Sequence, residues 1–224
     1  STGTVKTDKH GQTTAETALS SKAIETAKRN GEPVKAPVEV KASRDSSTAP
    51  TVKVELPKNS GDTKVEIPVS NVKPGTVAVL VHPDGTEEIV KNSLPTEDGI
   101  QLTVNGGATV KIVDNSKGFI DTQDHWAKDA IDFVSARGLV NGMSATIYAP
   151  DASTTRAQMV TMLWRAMGQP AAASGASFAD VPADSYYAQA VAWAIENGIT
   201  AGVGGGRFDP NSTCTRAQIV TFLY

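Results

Sequence analysis

The sequence predicts an α+β chain: an N-terminal, mainly antiparallel β-domain carrying one helix, followed by all-α helix-pair repeats. Three observations predict it. Segments between Val34 and Val113 alternate, or run apolar, with β-branched residues. Composition changes near residue 118, from Thr, Val, Lys and Glu to Ala, Gly and aromatics, with all three tryptophans in the second half. The second half also matches itself at an offset of 60 residues.

The first half begins with Thr4–Ala15, a weakly alternating stretch around His10-Gly11 that reads as an exposed hairpin or arm. Leu19–Asn30 reads as a helix. Ser20 or Ser21 can cap it, Ala23, Ile24 and Ala27 form its apolar stripe, and Lys28 and Arg29 suit its negative end before Gly31 stops it. Strands follow at 34–40, 51–56, 64–69 and 76–82. Pro83-Asp84-Gly85 turns the chain into a strand at 86–90, and 100–104 and 108–113 complete one sheet, joined through Asn105-Gly106-Gly107. Asn115 to Gly118 reads as a linker. The expected limits are 1–18 for the arm, 19–118 for the β-rich domain, and 119–170 and 171–224 for two repeats, the second truncated.

Composition narrows the function. Apolar residues make up 39% of the 224 and aromatics only 5%, so cores must be built from aliphatics and alanine. The net charge of −3 comes without a basic patch or a charged tail, which argues against a nucleic-acid partner. No run of about 18 apolar residues predicts membrane insertion. Cys214 stands alone, which excludes an intrachain disulfide and fits either cytoplasm or a Gram-positive surface. His10 and His82 lack partners at metal-ligand spacing, and no nucleophile elbow, zinc-protease helix or phosphate loop occurs. No cofactor, metal or catalytic residue is therefore expected, and the chain is read as a non-enzyme.

In the second half Trp126 aligns with Tyr186, Gly138 with Gly198, Gly142 with Gly202, and Pro150 with Pro210. Thr155-Arg156-Ala157-Gln158 aligns with Thr215-Arg216-Ala217-Gln218. One copy predicts an amphipathic helix over 126–137 that ends at Gly138, an irregular loop to Pro150, and a second helix from Thr155. Threonine followed three residues later by glutamine is a capping box, in which each side chain satisfies the other residue's amide. Trp164, Trp193 and Phe222 read as core, and Trp126 and Tyr186 can be core as well. One unit cannot bury both helices alone, so the copies should pack on each other.

These motifs resemble surface-layer homology (SLH) repeats of clostridial-type Gram-positive surface proteins. The second copy carries the pattern closely in Phe178-Ala179-Asp180-Val181, Gly202, Gly206-Arg207-Phe208-Asp209-Pro210 and Thr215-Arg216-Ala217. The first departs at Thr122, where Val is usual, and at Tyr148, where Phe is usual. Glutamine replaces the family's glutamate in both caps. The sheet domain also resembles modules that precede such repeats. The resemblance implies an extracellular protein of the cell wall or S-layer that binds secondary cell-wall polysaccharide, often pyruvylated. It implies ligand contacts at Arg156, Arg216, Trp126, Tyr186, Gly142 and Gly202, since a guanidinium pairs well with a ketal carboxylate. For the arginines, a salt bridge between repeats is an equal reading. SLH repeats usually come in threes, and two lie before Tyr224. A spacer or lattice module that self-associates without binding glycan is the alternative.

Overall fold

A computed structural model describes residues 1–175 and 177–221. Phe222, expected in the core, lies outside the described residues. The chain forms two compact units, Ser1–Ser116 and Lys117–Tyr224.

The first unit contains β1 (Thr2–Thr7), β2 (Thr13–Ala18), α1 (Ser21–Asn30), β3 (Val34–Lys35), β4 (Val40–Lys41), β5 (Thr51–Glu55), β6 (Asp62–Ser70), β7 (Thr76–Val81), β8 (Glu87–Ile89), β9 (Leu94–Pro95), β10 (Gly99–Asn105) and β11 (Ala108–Asp114). They make two sheets rather than the expected one, ordered β1-β2-β5-β11-β7-β8 and β3-β6-β10-β9, with β4 beside β6. Asn105-Gly106-Gly107 does not close a hairpin. It carries the chain from β10, paired with β6, to β11, paired with β5 and β7. Parallel pairs β2–β5, β3–β6 and β4–β6 also break the antiparallel expectation.

Alternation in each strand sends one face inward. Val52 and Val54 of β5 and Val110 and Ile112 of β11 join Val65 and Ile67 of β6 and Ile100 and Leu102 of β10 in one core. Ile24 and Ala27 of α1 join them. Ser20 Oγ caps α1 by accepting from the Ala23 amide at 3.2 Å, and Gly31 ends it in the left-handed region at φ 67°. This unit contains no Phe, Tyr or Trp.

The second unit holds α2 (Lys128–Ala136), β12 (Ser153–Thr155), α3 (Arg156–Ala166), α4 (Ala188–Glu196), β13 (Thr213–Thr215) and α5 (Arg216–Thr221). The all-α expectation for it is wrong, and with it the α+β class. The chain is mainly β, with three sheets and five helices among the described residues. The physical reason lies just before the capping threonines. Residues 153–155 and 213–215 are extended and pair antiparallel with each other across the two copies, Thr154 opposite Cys214. Long Gly- and Pro-rich loops leave the helices short.

The helices of one copy do not pack chiefly on each other. The first helix of copy one, α2, packs on the last helix of copy two, α5, while α3 packs on α4. One core therefore combines Phe119, Ile131, Val134 and Tyr148 with Ala217 and Val220. The other combines Met159, Val160 and Leu163 with Val191, Trp193 and Phe208. Trp164 is half-buried beside this second core.

A Cβ added at Gly99 would fall on the backbone of Ile67 and Val69 in the paired strand β6. Gly99→Ala should therefore destabilise the first unit by about 1–3 kcal/mol. Because every tryptophan lies in the second unit, urea unfolding should show an earlier transition by far-UV circular dichroism and an unmoved one by tryptophan fluorescence. Coincident shifts in both signals would contradict the assignment of the strain to the first unit.

Candidate functional site

The repeated threonines shape the helix starts. Thr155 Oγ1 accepts from the Gln158 amide at 3.0 Å, and Gln158 Oε1 accepts from the Thr155 amide at 3.0 Å. Thr215 and Gln218 do the same at 3.2 and 2.9 Å. The next amides are taken by the opposite copy: Arg156 and Ala157 donate to the carbonyls of Ser212 and Pro210, and Arg216 and Ala217 to those of Ala152 and Pro150. First-turn donors that a bound anion would need are thus already satisfied.

Each arginine reaches across in the same sense. Arg156 lies over the Phe208 ring at 4.5 Å, with Nε donating to the Phe208 carbonyl at 3.1 Å and Nη2 to the Ala201 carbonyl at 2.9 Å. Arg216 lies over Tyr148 at 4.6 Å and donates to the Tyr148 and Asn141 carbonyls at 3.1 and 2.7 Å. Neither forms a salt bridge among the described residues. Both are half-buried, and Nη1 of each has no hydrogen bond among the described residues. The guanidinium fork carries five N–H donors, so a face of it stays available.

Gly142 and Gly202 serve packing. A Cβ at either would strike the ring of Phe119 or Phe178 and a loop carbonyl of its own copy. Trp126 and Tyr186 are not core: they are 68% and 59% exposed. Tyr186 meets Tyr187 edge to face at 5.0 Å. Trp126 lies 5.3 Å from His125. The His125 Nδ1 accepts from the Ala127 amide at 3.1 Å, so its Nε2 carries the proton donated to Asp151 at 3.0 Å.

Asp121 and Asp180 clamp the loop of their own copy. Asp121 accepts from the Tyr148 and Ala149 amides at 3.0 and 2.8 Å, and Asp180 from those of Phe208 and Asp209 at 2.8 Å each. Ala149 and Asp209 sit at φ 59° and 62°, a conformation this clamp maintains. Partial burial opposes ionisation of Asp121, but the amides of Tyr148, Ala149 and Asp121 itself outweigh it and hold its carboxyl below the usual range. For Asp180 the Phe208 amide is the largest cause of the same lowering, which burial only partly offsets. The shelves themselves, Tyr148 and Phe208, carried a signal in the aromatic-x-Pro motif, but nothing in it told which arginine each would meet.

Cys214 is a half-buried free thiol, pushed up by burial more than Arg156 pulls it down. A groove of about 390 Å³ lies beside it, lined by Arg156, Met159, Leu163, Thr200, Gln218 and Ile219. Among the described residues no three metal-ligating side chains cluster, and no helix is long and apolar enough to cross a membrane.

The second unit is thus a pair of sequence repeats, each completed by the other. Residues 118–160 and 177–220 match the S-layer homology domain, and the chain is a bacterial cell-surface protein carrying a wall- or S-layer-anchoring module. It is 31% identical over 130 residues to the exoglucanase XynX of Acetivibrio thermocellus, covering 58% of this chain and 12% of that protein. It is 35% identical over 103 residues to an amylopullulanase of Thermoanaerobacterium thermosulfurigenes, covering 46% and 6%. With the surface-layer 125 kDa protein of Lysinibacillus sphaericus it shares 32% over 98 residues, covering 44% and 8%. The chain therefore spans only a small part of these relatives.

Acid should open the clamps. Because the folded carboxyls titrate lower than unfolded Asp, near 3.9, their contribution is complete above that value and is lost as pH falls through the folded values. Thermal melts followed by tryptophan fluorescence should weaken steeply below about pH 4, and the double variant Asp121→Asn, Asp180→Asn should flatten that slope. Among the described residues the Tyr148 hydroxyl is buried without a partner, and burial pushes the phenol up to about 12 despite Arg216. Tyr148→Phe should raise unfolding stability by about 1 kcal/mol, while a loss of that size would show that the hydroxyl has a partner.

Proposed function

We propose that the second unit holds the protein to the cell wall by binding an acidic secondary cell-wall polysaccharide, and that the chain performs no catalysis itself. The observation that carries this reading is the pair of large aromatic side chains left in solvent at equivalent positions of the two copies, Trp126 and Tyr186. Burying such a ring is favourable, so its exposure twice over fits a platform for a sugar ring. The free Nη1 of Arg156 and of Arg216 supplies positive charge for a carboxylate, including that of a pyruvyl ketal. Gly142 and Gly202 act indirectly, by letting Phe119 and Phe178 approach the loop. Support for a non-catalytic role comes from the sequence, where no nucleophile–base pair or carboxylate pair could be assigned.

The other reading, a spacer or lattice module without glycan binding, is favoured by the commitment of Nε and Nη2 of both arginines to bracing the fold. The two separate in a pulldown with purified walls, intact or stripped of secondary polymer. Binding should fall on stripped walls. Trp126→Ala with Tyr186→Ala should cut retention on intact walls by about tenfold without moving the melting temperature. Equal retention on stripped walls would reject the polysaccharide reading. Arginine variants are poorer probes, since they also loosen the unit.

A further inference from the structure

We propose that two copies of this chain can join by exchanging repeats, the first repeat of each closing on the second repeat of the other. The inference does not depend on glycan binding. It rests on where the stabilising contacts lie. Both cores of the second unit are divided between the copies of the repeat. The α2–α5 and α3–α4 packings, the β12–β13 pairing, the four first-turn amide bonds and both arginine braces all cross from one repeat to the other. Each of these contacts is equally satisfied when the second repeat comes from another molecule.

Only the segment from Met167 to Ser177 makes the pairing intramolecular. Its sequence, Met-Gly-Gln-Pro-Ala-Ala-Ala-Ser-Gly-Ala-Ser, is rich in small residues. Among the described residues, Met167 and Gly168 donate to the Leu163 and Arg165 carbonyls of α3, Gln169 to the Trp164 carbonyl, Trp164 Nε1 to the Pro170 carbonyl, and the Ala173 amide to the Glu196 carboxylate, with Ala172 packed beside the second core. Closed and exchanged forms bury the same surfaces, so the choice follows from concentration. A short link of this length supplies an effective concentration of the order of 1 mM. Dilute chains close on themselves. Chains crowded at a cell surface reach comparable local concentrations and exchange, and reciprocal exchange closes as a two-fold dimer without further growth. Such a dimer ties neighbouring molecules together laterally through surfaces already built for the monomer.

The native thiol supplies the test. Thr154 lies directly opposite Cys214 in the β12–β13 register, and facing Cα atoms in such a pair fall within disulfide reach. The 224-residue chain carrying Thr154→Cys is unfolded, refolded at about 1 µM, far below the link's effective concentration, and at about 1 mM, close to it, then oxidised and run on a non-reducing gel. The bond should be intrachain in the dilute sample and interchain in roughly half of the concentrated one. Removing Cys214 by Cys214→Ser should abolish the covalent dimer. Light scattering on the unaltered chain, refolded the same way, should find a dimer that persists on dilution. Deleting residues 171–175 should shift the dimer to lower concentration. Intrachain bonding at both concentrations, or a dimer whose two thiols stay unbonded to each other between chains, would overturn the proposal.

Discussion

Two guanidinium groups, each leaving one repeat to lie on an aromatic ring and two carbonyls of the other, set the form of the second unit. Arg156 and Arg216 do this with nearly superimposable geometry, 4.5 and 4.6 Å above Phe208 and Tyr148. A planar cation suits the place because its face is weakly hydrated and stacks, while its edge still donates to carbonyls. The helix starts, the strand pair and the two mixed cores follow from this crossing. Asp121 and Asp180 hold the ring-bearing loops in position within each copy, so the brace meets a prepared shelf.

In the proposed wall-binding role the arrangement links stability to binding. Arg156 and Arg216 use Nε and Nη2 internally, which in that role leaves one edge for a ligand and fixes its direction. A group held in this way loses little freedom on binding. Trp126 and Tyr186 differ in kind: they contribute little to either core and stand in solvent. Bracing therefore falls to one set of residues and the proposed sugar contact to another. The two copies are also chemically unlike, since His125 and Asp151 flank Trp126 where Ser185 and Asn211 occupy the matching positions beside Tyr186.

The first unit solves a different problem. With no aromatic residue, it fills its core from Val, Ile, Leu and Ala on two sheets. Its strands were legible from β-branched alternation, and its hairpin at Pro83-Asp84-Gly85 from turn chemistry. Its division into two sheets was not, because alternation gives a strand's two faces and says nothing of its neighbour. Asn105-Gly106-Gly107 illustrates this: a hairpin signal served as a crossing between sheets.

By itself the sequence determined local structure and kinship: the capped helix starts at Thr155 and Thr215, a helix read at Leu19–Asn30 and formed at Ser21–Asn30, the repeat offset and the SLH signature. Those depend on side chains and amides within a few residues of each other. The tertiary structure alone decided that β12 and β13 pair, that α2 packs on α5, that Gly142 and Gly202 yield to Phe119 and Phe178, and that the arginines are braces. Aligning one copy with the other shows which residues are equivalent. It cannot show which element of the opposite copy completes each, because burying apolar faces rewards any partner that fits, at whatever distance along the chain it lies.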